Sequence, residues 1–240
     1  MAALKRILGI FIPLTLFIIS VNGQAAVTIP KEFVETAPPK FGSDAWYALN
    51  YSHNEFEVAI VNGQLDIQKT HEVEQHTLEI ADGTLVGTDH GEWGGKLTFN
   101  PRDANKNTVE IKSGNIKFIF NFQGRIYFIE GLAHLGINEG AIYRLDSANN
   151  QYSYAKLVDF DDAPQAFAIH GDRLLIATFE GFYVVEDFKK TPIFEDAFWS
   201  SLYPASIAVL DDKNVFMGIR GGIVKLDLAN RTMKFYRYDK

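Results

Sequence analysis

The chain has 240 residues, of which 47% are hydrophobic and 13% aromatic, and none is cysteine. This length allows one large domain or two small ones, and the aromatic content excludes a disordered protein. The formal net charge of −7 argues against nucleic-acid binding, because phosphates need a basic surface. The absence of cysteine excludes a disulfide scaffold, a thiol nucleophile and cysteine-ligated metal sites.

The N-terminal segment has the three-part pattern of a secretory signal peptide. Two basic residues precede an apolar run at 7–21, and small residues follow the run up to Ala25. We predict a signal peptide at 1–25, export to the periplasm or the medium, and a single mature domain at 26–240 whose net charge is −9 once the two basic residues are removed. A retained membrane anchor is disfavoured, because a spanning helix needs about 20 apolar residues. No later segment is apolar enough to insert into a membrane.

Four segments of the mature region share one pattern: an apolar strand, a polar residue, glycine, a second apolar strand and a turn. They begin at Thr84, Arg125, Arg173 and Asn214, which are 41, 48 and 41 residues apart. Each is preceded and followed by another short apolar segment, so every unit contains four predicted strands. This period, with Gly, Asp and Asn at the turns, is typical of β-propeller blades. Helix is expected to be almost absent, and the segment 194–204 is the only weak candidate for a single turn of helix.

The number of blades depends on the region before the first repeat. Segments 55–62 and 64–70 flank Asn62-Gly63, a hairpin turn signal, and we predict a further strand at 45–51. With the four repeats, these segments predict an all-β fold, a β-propeller with five blades of four antiparallel strands. An open sandwich of the same hairpins is the alternative, and it offers no reason for a fixed period.

A propeller has no free sheet edge only if its first and last blades meet. The last repeat is complete at the C-terminus, whereas the N-terminal region is not. We therefore expect 27–37 or the next apolar segment to pack beside the last blade. The joint would bury Phe33 or Trp46 against Phe235 and Tyr236.

The centre of each unit resembles the repeat of the two-component-regulator propeller family, which consists of an apolar strand, Gly-Thr, a polar turn, Gly-Leu and an aromatic-containing strand. The matching residues are Val86-Gly87-Thr88 with Gly94-Gly95-Lys96-Leu97, Ala177-Thr178 with Gly181-Phe182-Tyr183, and Met217-Gly218 with Gly221-Gly222-Ile223. The resemblance implies a propeller, either in a sensor ectodomain or in a stand-alone exported protein. We expect the stand-alone form, because no transmembrane helix or signalling domain follows the repeats.

In such a fold, the turns between second and third strands and the connections between blades lie on one face around a central channel. Alignment of these turns places four charged or titratable residues at one position, each directly before a glycine: His90, Glu130, Glu180 and Arg220. A ring of charges at a channel mouth would suit a polar ligand. The same charges are expected at any strand end that meets water.

Two tryptophans are predicted to lie in the exposed segments of this face. Trp93 falls in the first aligned turn and Trp199 in a connection between blades. Aromatic rings beside carboxylates would suit sugar binding, and rings that cap the core between blades are the alternative. The predicted ligand-binding residues are therefore His90, Trp93, Glu130, Glu180, Trp199 and Arg220.

The chain contains no G-x-S-x-G nucleophile elbow, phosphate-binding loop or H-E-x-x-H motif. We therefore favour a monomeric, non-catalytic protein without cofactor or metal, which binds a protein or glycan partner on this face. The alternative is a polysaccharide-acting hydrolase or lyase, with Glu130 and Glu180 as candidate catalytic carboxylates. Metal binding by these two residues with His90 and His134 is a weaker alternative, because no short ligand spacing supports it.

Overall fold

The computed structural model describes residues 27–70, 75–148 and 151–240, so the predicted signal peptide lies outside the described residues. In these ranges the protein is all-β, with nineteen strands and one α-helix. Strand β1 (Phe33–Thr36) and helix α1 (Asp44–Asn50) precede all the other strands. No helix in the described part of the chain is long and apolar enough to cross a membrane.

The strands form five antiparallel sheets, and apart from β1 each sheet is built from consecutive strands of the chain. The first sheet contains β2 (Phe56–Val61) and β3 (Gln64–Lys69). The second contains β4 (Gln75–Ile80), β5 (Gly83–Thr88), β6 (Lys96–Pro101) and β7 (Val109–Ser113). The third contains β8 (Ile116–Phe122), β9 (Arg125–His134), β10 (Ile137–Ala148) and β11 (Gln151–Phe160).

The last two sheets follow the same plan. The fourth contains β12 (Pro164–His170), β13 (Arg173–Thr178), β14 (Phe182–Glu186) and β15 (Lys189–Phe194). The fifth contains β16 (Ser206–Asp211), β17 (Asn214–Ile219), β18 (Gly222–Asp227) and β19 (Thr232–Tyr238), with β1 beside β19. The expected four strands are present in the second, third and fourth sheets, whereas the first has two and the fifth has five.

The region before the first repeat contains the predicted hairpin turn but not the predicted strand. Asn62 and Gly63 form the β2–β3 turn, and both have positive φ angles, 52° and 75°, as a tight hairpin requires. The strand predicted at 45–51 is wrong, because helix α1 occupies this segment. The Ser43 side chain accepts a hydrogen bond from the Trp46 N–H and caps the helix. The segment 194–204 contains turns and no helix.

The N-terminal strand pairs with the last sheet, as the sequence predicts for the 27–37 segment. Strand β1 runs antiparallel to β19, with Phe33 opposite Tyr238. The Phe33 side chain is buried, and its ring centroid lies 5.0 Å from that of Phe56 and 5.4 Å from that of Tyr238. Residues of the first and fifth sheets and of β1 therefore share one hydrophobic cluster.

Glycines allow neighbouring sheets to approach each other closely. A Cβ atom at Gly87 of the second sheet would lie 2.5 Å from a side-chain atom of β8, and one at Gly131 of the third sheet would lie 2.8 Å from a backbone atom of β12. A Cβ atom at Gly218 of the fifth sheet would overlap the backbone of β2. Strands β12 and β16 bring the fourth and fifth sheets together. Sheets two to five are thus neighbours in chain order, and the fifth also contacts the first.

We predict that Phe33→Ala lowers the free energy of unfolding of a chain comprising residues 26–240 by about 3 kcal/mol, because the substitution leaves a cavity between β1, the first sheet and the fifth sheet. Val34 is the control, since its side chain points out of the same strand and is 42% exposed. Val34→Ala should change the stability by less than about 0.5 kcal/mol. Equal denaturation midpoints for the two variants would show that β1 does not seal this joint.

Candidate functional site

One end of the sheets carries the turns between second and third strands and the connections between consecutive sheets. We call this end the turn face. Its segments in sheets two to five are residues 89–95, 114–115, 135–136, 161–163, 179–181, 195–205 and 220–221. Helix α1 packs on it, because the Trp46 indole N–H donates a 3.0 Å hydrogen bond to the Phe198 carbonyl.

Asn115 joins the second sheet to the third. Its side-chain Nδ2 donates a 2.7 Å hydrogen bond to the Gly91 carbonyl in the turn of the second sheet. Its backbone carbonyl accepts a 3.2 Å hydrogen bond from the Gly131 N–H in β9. A single residue in the connection therefore fixes both sheets at the turn face.

Asp162 joins the third sheet to the fourth. Its buried carboxylate accepts hydrogen bonds from the Thr178 hydroxyl, from the Glu180 N–H at 3.0 Å and from the Asn138 Nδ2 at 3.2 Å. Burial raises the pKa of Asp162, and these hydrogen bonds oppose the increase. Removing the carboxylate would leave donors of both sheets without a partner.

Arg220 joins the fifth sheet to the segment that leads into the first. Its guanidinium pairs with the Glu55 carboxylate and donates a 2.9 Å hydrogen bond to the Asn50 carbonyl. It also lies 4.3 Å from the centre of the Tyr203 ring, within cation–π range. The Arg220 N–H donates to the Leu202 carbonyl at 2.7 Å. Arg220 therefore holds the turn face together through its guanidinium and its backbone N–H.

The other predicted ring residues have three different environments. The Glu180 carbonyl accepts a 2.8 Å hydrogen bond from the Ala197 N–H, and its side chain accepts one from the Ser200 hydroxyl at 3.4 Å. His90 lies in its predicted turn and is exposed. Glu130 does not lie in a turn, because β9 and β10 remain paired as far as His134 opposite Ile137.

The two predicted tryptophans also differ. The Trp93 side chain is 83% exposed on the turn face. Trp199 is fully buried in the core of the fourth and fifth sheets, with its ring centroid 5.7 Å from that of Phe198. The interpretation of Trp199 as an exposed, ligand-stacking ring is therefore wrong, and the alternative of a ring that caps the core is correct.

A cavity of about 440 Å³ lies between the second and third sheets at the turn face. The Lys112 ammonium inside it contacts both carboxylate oxygens of Glu130, at 2.8 and 2.7 Å. Glu180 is not among the lining residues of this cavity, so the two carboxylates proposed as a catalytic pair do not share it. Lys112 could not be predicted as a site residue, because its ion pair with Glu130 joins strands of different sheets.

Side chains from all five sheets line a second cavity of about 630 Å³. It contains Glu57 of β2, His76 of β4, Lys117 of β8, Gln165 of β12 and Ser206 of β16. These are the first strands of their sheets, so the first strands converge on one space. Among the described residues, no three His, Asp or Glu side chains lie close enough to share a metal ion.

Three large apolar side chains are exposed on two neighbouring turns of the turn face: Trp93, Leu135 and Ile137. Leu135 and Ile137, at the tip of the β9–β10 hairpin, are 91% and 48% exposed. The preceding His134 has its Nε2 2.7 Å from the Glu92 carboxylate, without hydrogen-bond alignment. Glu92 directly precedes Trp93, so the two turns meet. We call Trp93, Leu135 and Ile137 the apolar patch. The sequence signal for this patch is the pair of aliphatic residues that flank the turn glycine Gly136.

No protein-family model matches this chain, and no curated protein matches it. Solved structures do match it. One is a variant of the AtxE2 isopeptidase with astexin3-dC4 bound, at 12% sequence identity and a TM-score of 0.37. The match covers 67% of this chain and 26% of the isopeptidase chain. A likeness at this TM-score supports no conclusion about fold or function.

The stability of the protein should fall as the pH drops below 6.5, in part through His76. Burial lowers the pKa of His76, and Lys117 lowers it further, so the unfolded chain binds a proton at a higher pH than the folded protein does. Melting temperatures measured from about pH 7.5 to about pH 5 should fall less for His76→Gln than for the wild type. His90→Gln controls for the loss of an exposed imidazole. An equal fall for His76→Gln and the wild type would contradict the prediction.

Proposed function

We propose that this chain is an exported five-bladed β-propeller that binds a protein partner through its turn face, without catalysis. The signal-peptide pattern at 1–25 supports export to the periplasm or the medium. The mature protein would act as a monomer.

The propeller arrangement is supported by the order of the sheets. Sheets two to five are neighbours in chain order, the fifth contacts the first, and the N-terminal β1 completes the last sheet. The first strands of all five sheets line one cavity, as they do around a propeller channel. The resemblance of the repeats to propeller units agrees with this order.

The apolar patch is the observation that carries the binding function. Its three large side chains are solvent-exposed on two turns that lie close together, and exposed apolar groups that cluster on a monomeric protein often mark a binding site. Two of the three are aliphatic, and only Trp93 offers a flat ring. Sugars stack on rings, whereas Leu135 and Ile137 suit the apolar side chains of a protein. A protein partner therefore fits the patch better than a glycan does.

The charge distribution favours binding over catalysis. The Glu130 carboxylate is held by the Lys112 ammonium, and Glu180 lies outside the cavity that Glu130 lines. The mature charge of −9 would steer a basic partner towards this protein. A polysaccharide-acting enzyme therefore has weaker support than a binding protein.

We predict that Trp93→Ala with Leu135→Ala weakens capture of the native partner at least tenfold, because exposed aromatic anchors dominate interface energies. The immobilised mature chain would be incubated with an extract of the source cells, and captured proteins would be identified and titrated. Val61→Ala is the matched control, since Val61 is exposed at the opposite end of the first sheet. It should bind like the wild type.

Two outcomes would refute the proposal. Unchanged capture by the double variant would exclude the apolar patch as the binding surface. Specific binding to a glycan array that is lost with Trp93→Ala but kept with Leu135→Ala would replace the protein partner with a carbohydrate.

A further inference from the structure

We propose that the cavity between the second and third sheets binds a cationic side chain, the guanidinium of an arginine or the ammonium of a lysine. This inference rests on the proposed function, because the cavity adjoins the apolar patch and would receive a basic side chain of the same partner. We call it the acidic cavity.

The acidic cavity has the size and position of a side-chain binding pocket. Its volume of about 440 Å³ lies within the range of small-molecule sites. Gly91 and Glu92 of the turn that carries Trp93 form part of its wall, and Leu132 and Glu139 of the β9–β10 hairpin form another part. A partner seated on the apolar patch would therefore lie beside its opening.

Carboxylates outnumber cations in the lining. Four acidic and two basic residues line the cavity: Glu92, Glu130, Glu139, Asp159, Lys112 and Lys156. Both lysines are already paired, Lys112 with Glu130 at 2.7 Å and Lys156 with Asp159 at 2.8 Å. Among the described residues, Glu139 has no cation within salt-bridge distance and is exposed. The cavity therefore has carboxylate charge that its own lysines leave unbalanced.

Asn115 provides a second, independent indication that a hydrogen-bond donor binds in the cavity. Its side chain is buried at 4% exposure and lines the cavity. Its Nδ2 is used in the bond to the Gly91 carbonyl, which fixes the amide orientation, and its Oδ1 has no hydrogen-bond partner in the described structure. A buried acceptor without a donor costs free energy until a donor reaches it. An N–H-rich cation is the ligand that would satisfy both Asn115 and the free carboxylate.

The carboxylates of the cavity contribute to the pKa shifts of two lining groups, Tyr143 and Lys156. Burial raises the pKa of the Tyr143 hydroxyl, and Glu130 raises it further. The Asp159 carboxylate raises the pKa of Lys156, and Glu139 and Glu130 add to the effect. Each shift favours the protonated, more positive form of its group.

A guanidinium fits this donor and acceptor arrangement better than an anion or a neutral sugar. Its planar N–H groups can bind a carboxylate and an amide oxygen at the same time. An anion would face the excess of carboxylates. A neutral hydroxyl would gain no charge-assisted hydrogen bond from Glu139.

The test uses Nα-acetyl-L-arginine methylamide as probe and the citrulline analogue, its neutral isostere, as matched control. The ¹⁵N-labelled mature chain would be titrated and followed by backbone amide shifts. We expect saturable shifts for the amides that line the cavity, such as Gly94, Gly114 and Gly140, with a millimolar Kd. The citrulline analogue should bind at least about threefold more weakly.

Glu139→Gln should weaken probe binding at least about threefold, because it removes the unbalanced carboxylate without changing the shape of the side chain. Glu79→Gln, on an exposed position of β4, should bind the probe like the wild type. Raised salt should weaken binding to the wild type more than to Glu139→Gln.

Three results would overturn the inference: no saturable shifts at the cavity amides, equal binding of arginine and citrulline probes, or unchanged binding by Glu139→Gln. Trp93→Ala separates this inference from the proposed function. It removes part of the apolar patch and should leave the probe affinity unchanged. If the probe fails to bind while the patch variants still abolish partner capture, only the acidic cavity is wrong.

Discussion

The hydrogen bonds that join each connection to the turns beside it determine how the sheets of this protein are arranged. Hydrophobic burial drives the sheets together, but it is non-directional and does not select one relative position. Asn115, Asp162 and Arg220 provide that selection, because each bonds to two successive parts of the chain. Close approach at Gly87 and Gly218 then lets the apolar surfaces meet.

This constraint also divides the turn face into two kinds of residue. Arg220 and the backbone of Glu180 are used to hold neighbouring segments, so they serve the fold first. The outermost side chains, such as Trp93 and Leu135, do not hold neighbouring segments together and are exposed. The cavity lined by Lys112, Glu130 and Glu139 contains both kinds of residue. The Glu130 carboxylate is paired with the Lys112 ammonium, whereas Glu139 has no cation within salt-bridge distance in the described structure. The hydrogen-bonded turns and connections thus present a small number of side chains that are not needed to hold the sheets.

The repeat allowed most of the strands to be predicted, because alternation and turn residues are local properties. The Asn62-Gly63 turn follows from the same rules, whereas the pairing of β1 with the last sheet follows from the need to cover the edge of that sheet. Helix α1 was missed because a seven-residue apolar segment fits both periods, and the Ser43 cap decided between them. The burial of Trp199 and the long β9–β10 hairpin depend on contacts between sheets, which a period cannot reveal.

The central claim is that side chains of the connections lock neighbouring sheets together, and Asp162 tests it most directly. The adjacent Asp161 is a matched control, because its side chain is 89% exposed and pairs only with Lys190. Chemical denaturation of a chain comprising residues 26–240 should show a loss of about 3 kcal/mol in the free energy of unfolding for Asp162→Ala, since donors of two sheets lose their acceptor. Asp161→Ala should lose less than about 1 kcal/mol. Equal stabilities for the two variants would contradict the claim.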